Sequence, residues 1–266
     1  MTDWVICLGG SPNQVPYIKE IRNLNFNVFL IDKNKDAPGK EFSNEHRSIG
    51  YDQIDDLILL IKSNFFNSHE IKHVFSAASQ FSQVGVSIIS ELLNLSFTDR
   101  NNIFNCLDKK AFYKIFNKLS APFPKTEYIY NFEKLKQYIQ DNDLKCNWYL
   151  KSDFGKSPKY IYKINKKNFI NKNIFWGKDR YLSECYLLQQ EFEGMHIRVN
   201  ILKNSFCMFN HADNKLIEDE NLISKFIKLG LFKKLVEIRN YFNFYMFICK
   251  FDIIISNKDW VVIDIG

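Results

Sequence analysis

Two aspartates near the end of the chain, Asp252 in FDIIIS and Asp264 in WVVIDI, fall on apolar runs separated by the turn NKD. A hairpin read from that pattern lets both carboxylates meet on one face. Hard oxygen donors so placed suit Mg²⁺, which takes a near-octahedral oxygen shell shared with phosphates. Plain edge charges are the competing reading. A second candidate is LGGSPNQ, residues 8–14, after the apolar WVIC. Gly9 and Gly10 permit a tight strand-to-helix turn, Ser11 can cap a helix, and Pro12 can sit near its first turn. Its N–H groups could face a carboxylate or phosphate, yet it matches neither G-x-G-x-x-G nor the P-loop, so a structural turn is the preferred reading. A third is KINKKNFINKNIF, residues 163–175, where Lys and Asn alternate with aromatics. It has the look of a nucleic-acid patch, but Lys and Asn abound along the whole chain and no nucleic-acid motif accompanies them, so a solvated face is favoured.

The elements that must position these residues change character along the chain. From Trp4 to about Ser96 strand and helix patterns alternate: WVICLGG, VPYIKEIRNL, NVFLID, a turn rich in Asp, Pro and Gly, the helix DQIDDLILLIKSNF, HVFSAA and QVGVSIISELLNL. That βαβαβα order implies a parallel sheet covered by helices. Then come the helix LDKKAFYKIFNKL, a Pro-bearing turn APFPKT and the helix FEKLKQYIQDN. The strands NWYLKSD, KYIYKI, YLLQQEF, IRVNILK and SFCMFNH follow, then the helix ISKFIKLGLFKKLVEIRNYF and the closing hairpin. A boundary is expected near residues 96–106.

Composition sets the limits. A chain of 266 residues, 46% hydrophobic and 16% aromatic, can bury a sizeable core in one or two domains. No basic leader precedes a signal-length apolar run, and YFNFYMFICKFDIII is interrupted by Lys250 and Asp252. The expectation is therefore a cytoplasmic protein with no membrane and no nucleic-acid partner. Six scattered cysteines without C-x-x-C read as buried thiols rather than zinc ligands or disulfides. The net charge of +6 suits a polyphosphate ligand as well as it suits nucleic acid, and decides neither.

The N-terminal GG-x-P-N-Q, then NVFLIDKNKDAPG, then LDKKAFYKIFNKLSAPFPKTEYI resemble the ATP-grasp superfamily. The likeness is to carboxylate-amine ligases and to the carbamoyl-phosphate synthetase and biotin carboxylase group, and it runs over almost the whole chain with motifs in the family's order. The resemblance implies an α/β Rossmann-like domain over 1–100 on the substrate side. An α+β ATP-grasp region follows, its lid over 101–188 and its C-terminal subdomain with the metal site over 189–266. LGGSPNQ then becomes a substrate-side turn.

Site roles carried over from the family are these. Lys109 in LDKKAF resembles the lysine reaching ATP phosphates from the start of the lid, and Lys151 in WYLKSD the strand lysine on the α and β phosphates, where a point cation neutralises polyphosphate charge. Taken alone, each lysine is better read as a solvated surface residue; the apolar WYL before Lys151 and the polar loop after it bring the two readings level for that lysine. The loop DFGKSPK stands where the family has a glycine-rich flap, but only Gly155 remains, Pro158 stiffens it, and Tyr160 stands where glycine is common. LLQQEFEGMHIRV resembles the adenine-binding hinge strand: Gln189 reads the amino group, and backbone groups of Gln190, Glu191 and Phe192 complete the edge. His196 falls where relatives place a ribose-binding carboxylate; it could bond a hydroxyl or be a plain surface histidine. Arg198 resembles the arginine that steadies the γ-phosphate or acyl phosphate, the alternative being a strand-surface salt bridge. Asp252 and Asp264 resemble the Asp and Glu of the metal set, while Gly266 holds the place of its asparagine and the sequence stops short of the segment that follows in the family.

The function so implied is an ATP- and Mg²⁺-dependent ligase joining a small-molecule carboxylate to an amine through an acyl phosphate, in a homodimer as in many relatives. A degenerate ATP-grasp module that binds nucleotide or a partner without turnover is the second hypothesis. A third is a plain nucleotide-sugar or dinucleotide binder using the first domain alone, against which the missing G-x-G-x-x-G argues.

Overall fold

A computed structural model describes residues 3–96, 99–142, 146–153, 161–164, 185–244 and 248–265, and the chain divides into two compact units, Met1–Phe104 and Asn105–Gly266. The first unit contains β1 (Trp4–Leu8), α1 (Val15–Asn23), β2 (Asn27–Ile31), a 3₁₀ turn (Pro38–Phe42), β3 (Glu45–Arg47), α2 (Ile54–Ile61), α3 (Asn64–Ser68), β4 (Ile71–Phe75) and α4 (Ser82–Leu92). Its strands form one parallel sheet in the order β3-β2-β1-β4. All five residues of β1 are buried, because helices cover both faces and an unbroken apolar run is what such a strand requires. Ile6, Leu8, Phe29 and Ile31 pack with Leu57, Ile61 and Ile89; Val5, Cys7, Val28 and Leu30 pack with Ile18.

α5 (Arg100–Leu107) leads into the second unit, which holds two antiparallel four-stranded sheets. The first sheet, in the order β5-β8-β6-β7, comprises β5 (Thr126–Ile129), β6 (Trp148–Ser152), β7 (Tyr162–Ile164) and β8 (Tyr186–Gln190), with α6 (Lys109–Lys118) and α7 (Phe132–Asp141) between the earlier elements. Leu135 and Ile139 of α7 pack on Trp148, Leu150, Ile164 and Leu188. The second, in the order β10-β9-β11-β12, comprises β9 (Met195–Leu202), β10 (Ser205–Asn210), β11 (Cys249–Ile255) and β12 (Trp260–Ile265). The helices α8 (Glu220–Lys228) and α9 (Leu231–Tyr241) contribute Phe226, Leu231, Leu235 and Ile238 to its core.

Five elements depart from the sequence expectation, the first being α5, a helix over RNNIFNCL where only a boundary is expected. The helix expected over DQIDDLILLIKSNF is two, because Ser63 is extended (φ −72°, ψ 160°) and restarts the helix. The helix expected over ISKFIKLGLFKKLVEIRNYF is also two, broken where Gly230 takes the left-handed conformation (φ 72°). The strands β3 and β5 were not expected: each is four residues or fewer, too short for an alternation signal to stand out.

The LGGSPNQ turn also differs in detail. Ser11 does not cap α1. Gln14 occupies that position without a side-chain cap bond, and the helix opens with Pro16 in its first turn. The Gln14 amide accepts from the Ser11 N–H (3.1 Å) and hydroxyl and donates to the Ala77 carbonyl (3.2 Å). The Gly9 N–H reaches the Ile31 carbonyl (2.9 Å), and the Gly10 N–H reaches Asp32 (2.6 Å). Its donors at residues 9–11 therefore serve the protein itself, which supports the structural reading of this turn. Among residues read from the sequence, the flap beyond Asp153, including Gly155, Pro158 and Tyr160, most of KINKKNFINKNIF, and Gly266 lie outside the described residues.

Candidate functional site in the second unit

Alternation on β9 and β11 sorts side chains by chemistry. Ile197, Val199, Ile201, Phe251, Ile253 and Ile255 enter the core, so Arg198 and Asp252 occupy the opposite face. Register then sets their neighbours. Asp252 stands opposite Arg198 on one side and opposite Asp264 on the other, and a bulge after Asp252 resets the β11–β12 pairing. The two carboxylates expected to hold metal thus share one face of the sheet.

Asp252 is buried and accepts from Arg198 Nε at 2.9 Å, and Lys250 Nζ lies 3.8 Å from its other oxygen. Arg198 Nη1 also donates to Asn214 Oδ1 (2.9 Å), which fixes the guanidinium over the sheet. The salt-bridge alternative for Arg198 is therefore realised, and its partner is the expected metal ligand.

The two lysines join from the other sheet and from α6. Asp108 caps α6 by accepting from the N–H groups of Lys110 (2.8 Å) and Ala111 (3.2 Å), while the Lys109 N–H donates to the carbonyl of Asp153 (2.8 Å), just past β6. That double clamp sets the start of α6 beside the end of β6, where Lys151 lies. Lys151 Nζ is 3.4 Å from both the Tyr113 hydroxyl and the Ile263 carbonyl, one residue before Asp264. Its pKa is lowered to about 7: burial is the main cause, the Lys109 charge adds to it, and Asp264 opposes both. Tyr113, fully buried, is shifted upward for the same first reason.

Lys109, Lys151, Arg198, Asp252 and Asp264 thus form one linked constellation with Lys250 at its edge. Four cations surround two carboxylates, and that excess of positive charge fits a polyphosphate. Two opposed carboxylates also fit the oxygen-donor requirement of Mg²⁺.

The end of β8 and the residue after it are tied mainly to the protein. Gln189 is buried and its Nε2 donates to Thr126 Oγ1 at 2.7 Å, so this amide nitrogen is already committed. The N–H of Gln190 serves the Lys125 carbonyl and that of Glu191 the Asn147 carbonyl, both at 2.9 Å. An adenine edge at this segment would have to be met by carbonyls and by Phe192 rather than by those two N–H groups. Glu191 is held by Asn147 (2.6 Å), Lys163 (2.8 Å) and Tyr149 (2.9 Å), and Lys163 foremost lowers its pKa to about 2.

His196 shows no free edge for a ribose hydroxyl at Nε2, which is buried without a partner. Its ring stacks on His211, and its pKa falls to about 4 through burial first and His211 second. Tyr113, Asn214 and His211 all escaped the sequence reading. Tyr113 looks like an ordinary core aromatic in AFYKIF, and the other two lie in a polar turn without a motif.

No protein-family profile matches the chain, and no curated protein sequence does either. Solved structures do. The biotin carboxylase domain of Hydrogenobacter thermophilus 2-oxoglutarate carboxylase, a dimer in complex with MgADP, ADP and bicarbonate, superposes with a TM-score of 0.75 at 13% identity, over 98% of this chain and 63% of that one. N5-carboxyaminoimidazole synthetase from Staphylococcus aureus complexed with ADP gives 0.71 at 13%, over 99% and 69%. L-amino acid ligase from Bacillus licheniformis gives 0.70 at 12%, over 100% and 66%. The chain has the ATP-grasp fold. With one parallel and two antiparallel sheets among the described residues, it matches those structures as a mixed α/β fold. Among the described residues, no helix is long and apolar enough to cross a membrane.

Proposed function

We propose that this ATP-grasp chain is an ATP-dependent ligase that activates a carboxylate as an acyl phosphate and transfers the acyl group to an amine, with release of ADP and phosphate. The observation that carries the reading is the convergence of Lys109, Lys151, Arg198, Asp252 and Asp264 within the second unit, from sequence positions up to 155 apart (Lys109 to Asp264), around an excess of positive charge. Residues 101–188 would form the lid and 189–266 the C-terminal subdomain, with 1–100 on the substrate side and the segment 189–192 beside adenine.

In this reading Lys109 and Lys151 hold the phosphates in place, and Lys151 regains its full charge when a polyanion replaces its hydrophobic surroundings. Arg198 stays anchored to Asp252 and turns its remaining guanidinium donors toward the transferred phosphoryl oxygens. Asp252 and Asp264 would hold Mg²⁺, which supplies charge neutralisation across the phosphates. No side-chain nucleophile is needed, because positioning and electrostatics carry the transfer. In the metabolic setting, such an enzyme would be a cytoplasmic homodimer acting on small molecules.

Incubation with Mg·ATP and pooled amino acids and carboxylic acids tests the activity, and ADP formed with some pool is the expected result. Absence of ADP with every pool sinks it. Lys151→Ala or Asp264→Ala should lower turnover by about 10²–10³-fold, the usual cost of a lost electrostatic contact to the transition state. The second reading, a module that binds nucleotide without turnover, draws on the Arg198–Asp252 pair, which already neutralises one metal-side carboxylate. Tight ATP binding with no turnover, unchanged in Asp264→Ala, would favour that module.

A further inference from the structure

The β9–β10 hairpin places two imidazoles face to face. His196 lies two residues before Arg198 on β9, and His211 directly follows β10. The His211 N–H donates to the His196 carbonyl at 3.2 Å, and the rings stack with centroids 3.6 Å apart and planes 9° from parallel. Strand β11 adds a carboxylate. Ile254 pairs with His196 and Asp252 with Arg198, so Asp252 stands diagonally across from His196 on the same face. One donor atom from each of His196, His211 and Asp252 lies within 4.8 Å of the other two.

An independent observation points to a ligand at this spot. His196 Nε2 is buried and has no hydrogen-bond partner. A buried polar atom left without a partner is destabilising unless something fills it.

We propose that His196, His211 and Asp252 form a site for a borderline first-row divalent cation of the zinc type, distinct in chemistry from a magnesium site. Two imidazole nitrogens and one carboxylate oxygen are a zinc donor set, whereas Mg²⁺ demands oxygen and dehydrates reluctantly. Tetrahedral bonds of about 2.0 Å set donors about 3.3 Å apart, so binding draws the donors together and turns the two rings out of their parallel stack, since the ion must lie in the plane of each imidazole. Arg198 on Asp252 Oδ1 orients the carboxylate, as outer-shell partners of metal ligands do. Three protein donors leave the fourth position of a tetrahedral ion open to water or an anion. The site shares Asp252 with the proposed magnesium pair and differs from it by its two imidazoles.

The test is calorimetric titration of the metal-stripped full chain with Zn²⁺ in excess Mg²⁺, alongside Co²⁺ followed by visible absorption. One saturable Zn²⁺ per chain, resistant to Mg²⁺, and a Co²⁺ d–d band are expected. His211→Ala should weaken Zn²⁺ binding by about tenfold or more and abolish the band. His211→Phe keeps a flat ring against His196 but offers no donor, so it should behave like His211→Ala even if the smaller residue disturbs folding. Absence of a saturable site in the unaltered chain, displacement of Zn²⁺ by Mg²⁺, or unchanged binding in His211→Phe would overturn the assignment, the last by shifting the metal to the free thiols. ADP affinity measured in the same samples reports on the nucleotide reading separately.

Discussion

A lysine ammonium wedged between the Tyr113 hydroxyl and the Ile263 carbonyl, with a second lysine nearby, holds its proton weakly. At pH 8 Lys151 is mostly neutral, given its pKa of about 7. If a polyphosphate binds there, the proton must return, and ADP binding should take up close to one proton at pH 8–9 and little below pH 6. Calorimetry in buffers of different ionisation enthalpy measures this uptake, and Lys151→Met should abolish it. The same shift governs stability. Between pH 7 and the usual lysine value of 10.5 the unfolded chain binds the extra proton, so stability rises with pH across that window and is flat in this term below it. The unfolding free energy of the parent chain should therefore rise relative to that of Lys151→Met, by on the order of 3 kcal/mol, as pH moves from 7 to 10. Glu191 has the opposite sign: its depressed pKa gives stability that is complete above pH 4.5 and lost as pH falls toward 2.

At the scale of elements, two glycines shape the sheet that bears Arg198 and Asp252, for different reasons. Gly230 joins α8 to α9 in the left-handed conformation, and a Cβ there would meet nothing within 4 Å. Gly230→Ala should cost about 1 kcal/mol, the conformational penalty alone. Gly194 precedes β9, and its Cβ would stand 2.5 Å from the Ile255 carbonyl oxygen, a backbone atom that cannot swing aside. Gly194→Ala should cost more, about 1–3 kcal/mol, since β9 must part from the end of β11. Urea denaturation ranks the two, and a milder effect at Gly194 would contradict the close packing of these strands. Sequence reading placed most strands and helices correctly because their apolar periodicity was long enough to register. Not legible were α5, β3, β5 and the two helix breaks, where a weakly apolar or short stretch or one residue's backbone conformation decided the outcome.

At the scale of the whole molecule, each unit has its own core, and every member of the lysine–arginine–aspartate constellation belongs to the second. Expressed separately, residues 105–266 should bind ADP and residues 1–104 should not; equilibrium dialysis distinguishes them, and the reverse pattern would revive a nucleotide site on the parallel sheet. The sequence by itself determined the mixed α/β architecture and the candidacy of Lys109, Lys151, Arg198, Asp252 and Asp264, because period, turn residues and motif order are local properties. Only the tertiary structure decided which of these residues share a face. Cross-strand register sets Asp252 between Arg198 and Asp264, a capped helix brings Lys109 toward Lys151, and burial lowers the lysine's pKa. It also found Tyr113 and His211, whose roles arise from neighbours far along the chain that no local pattern encodes.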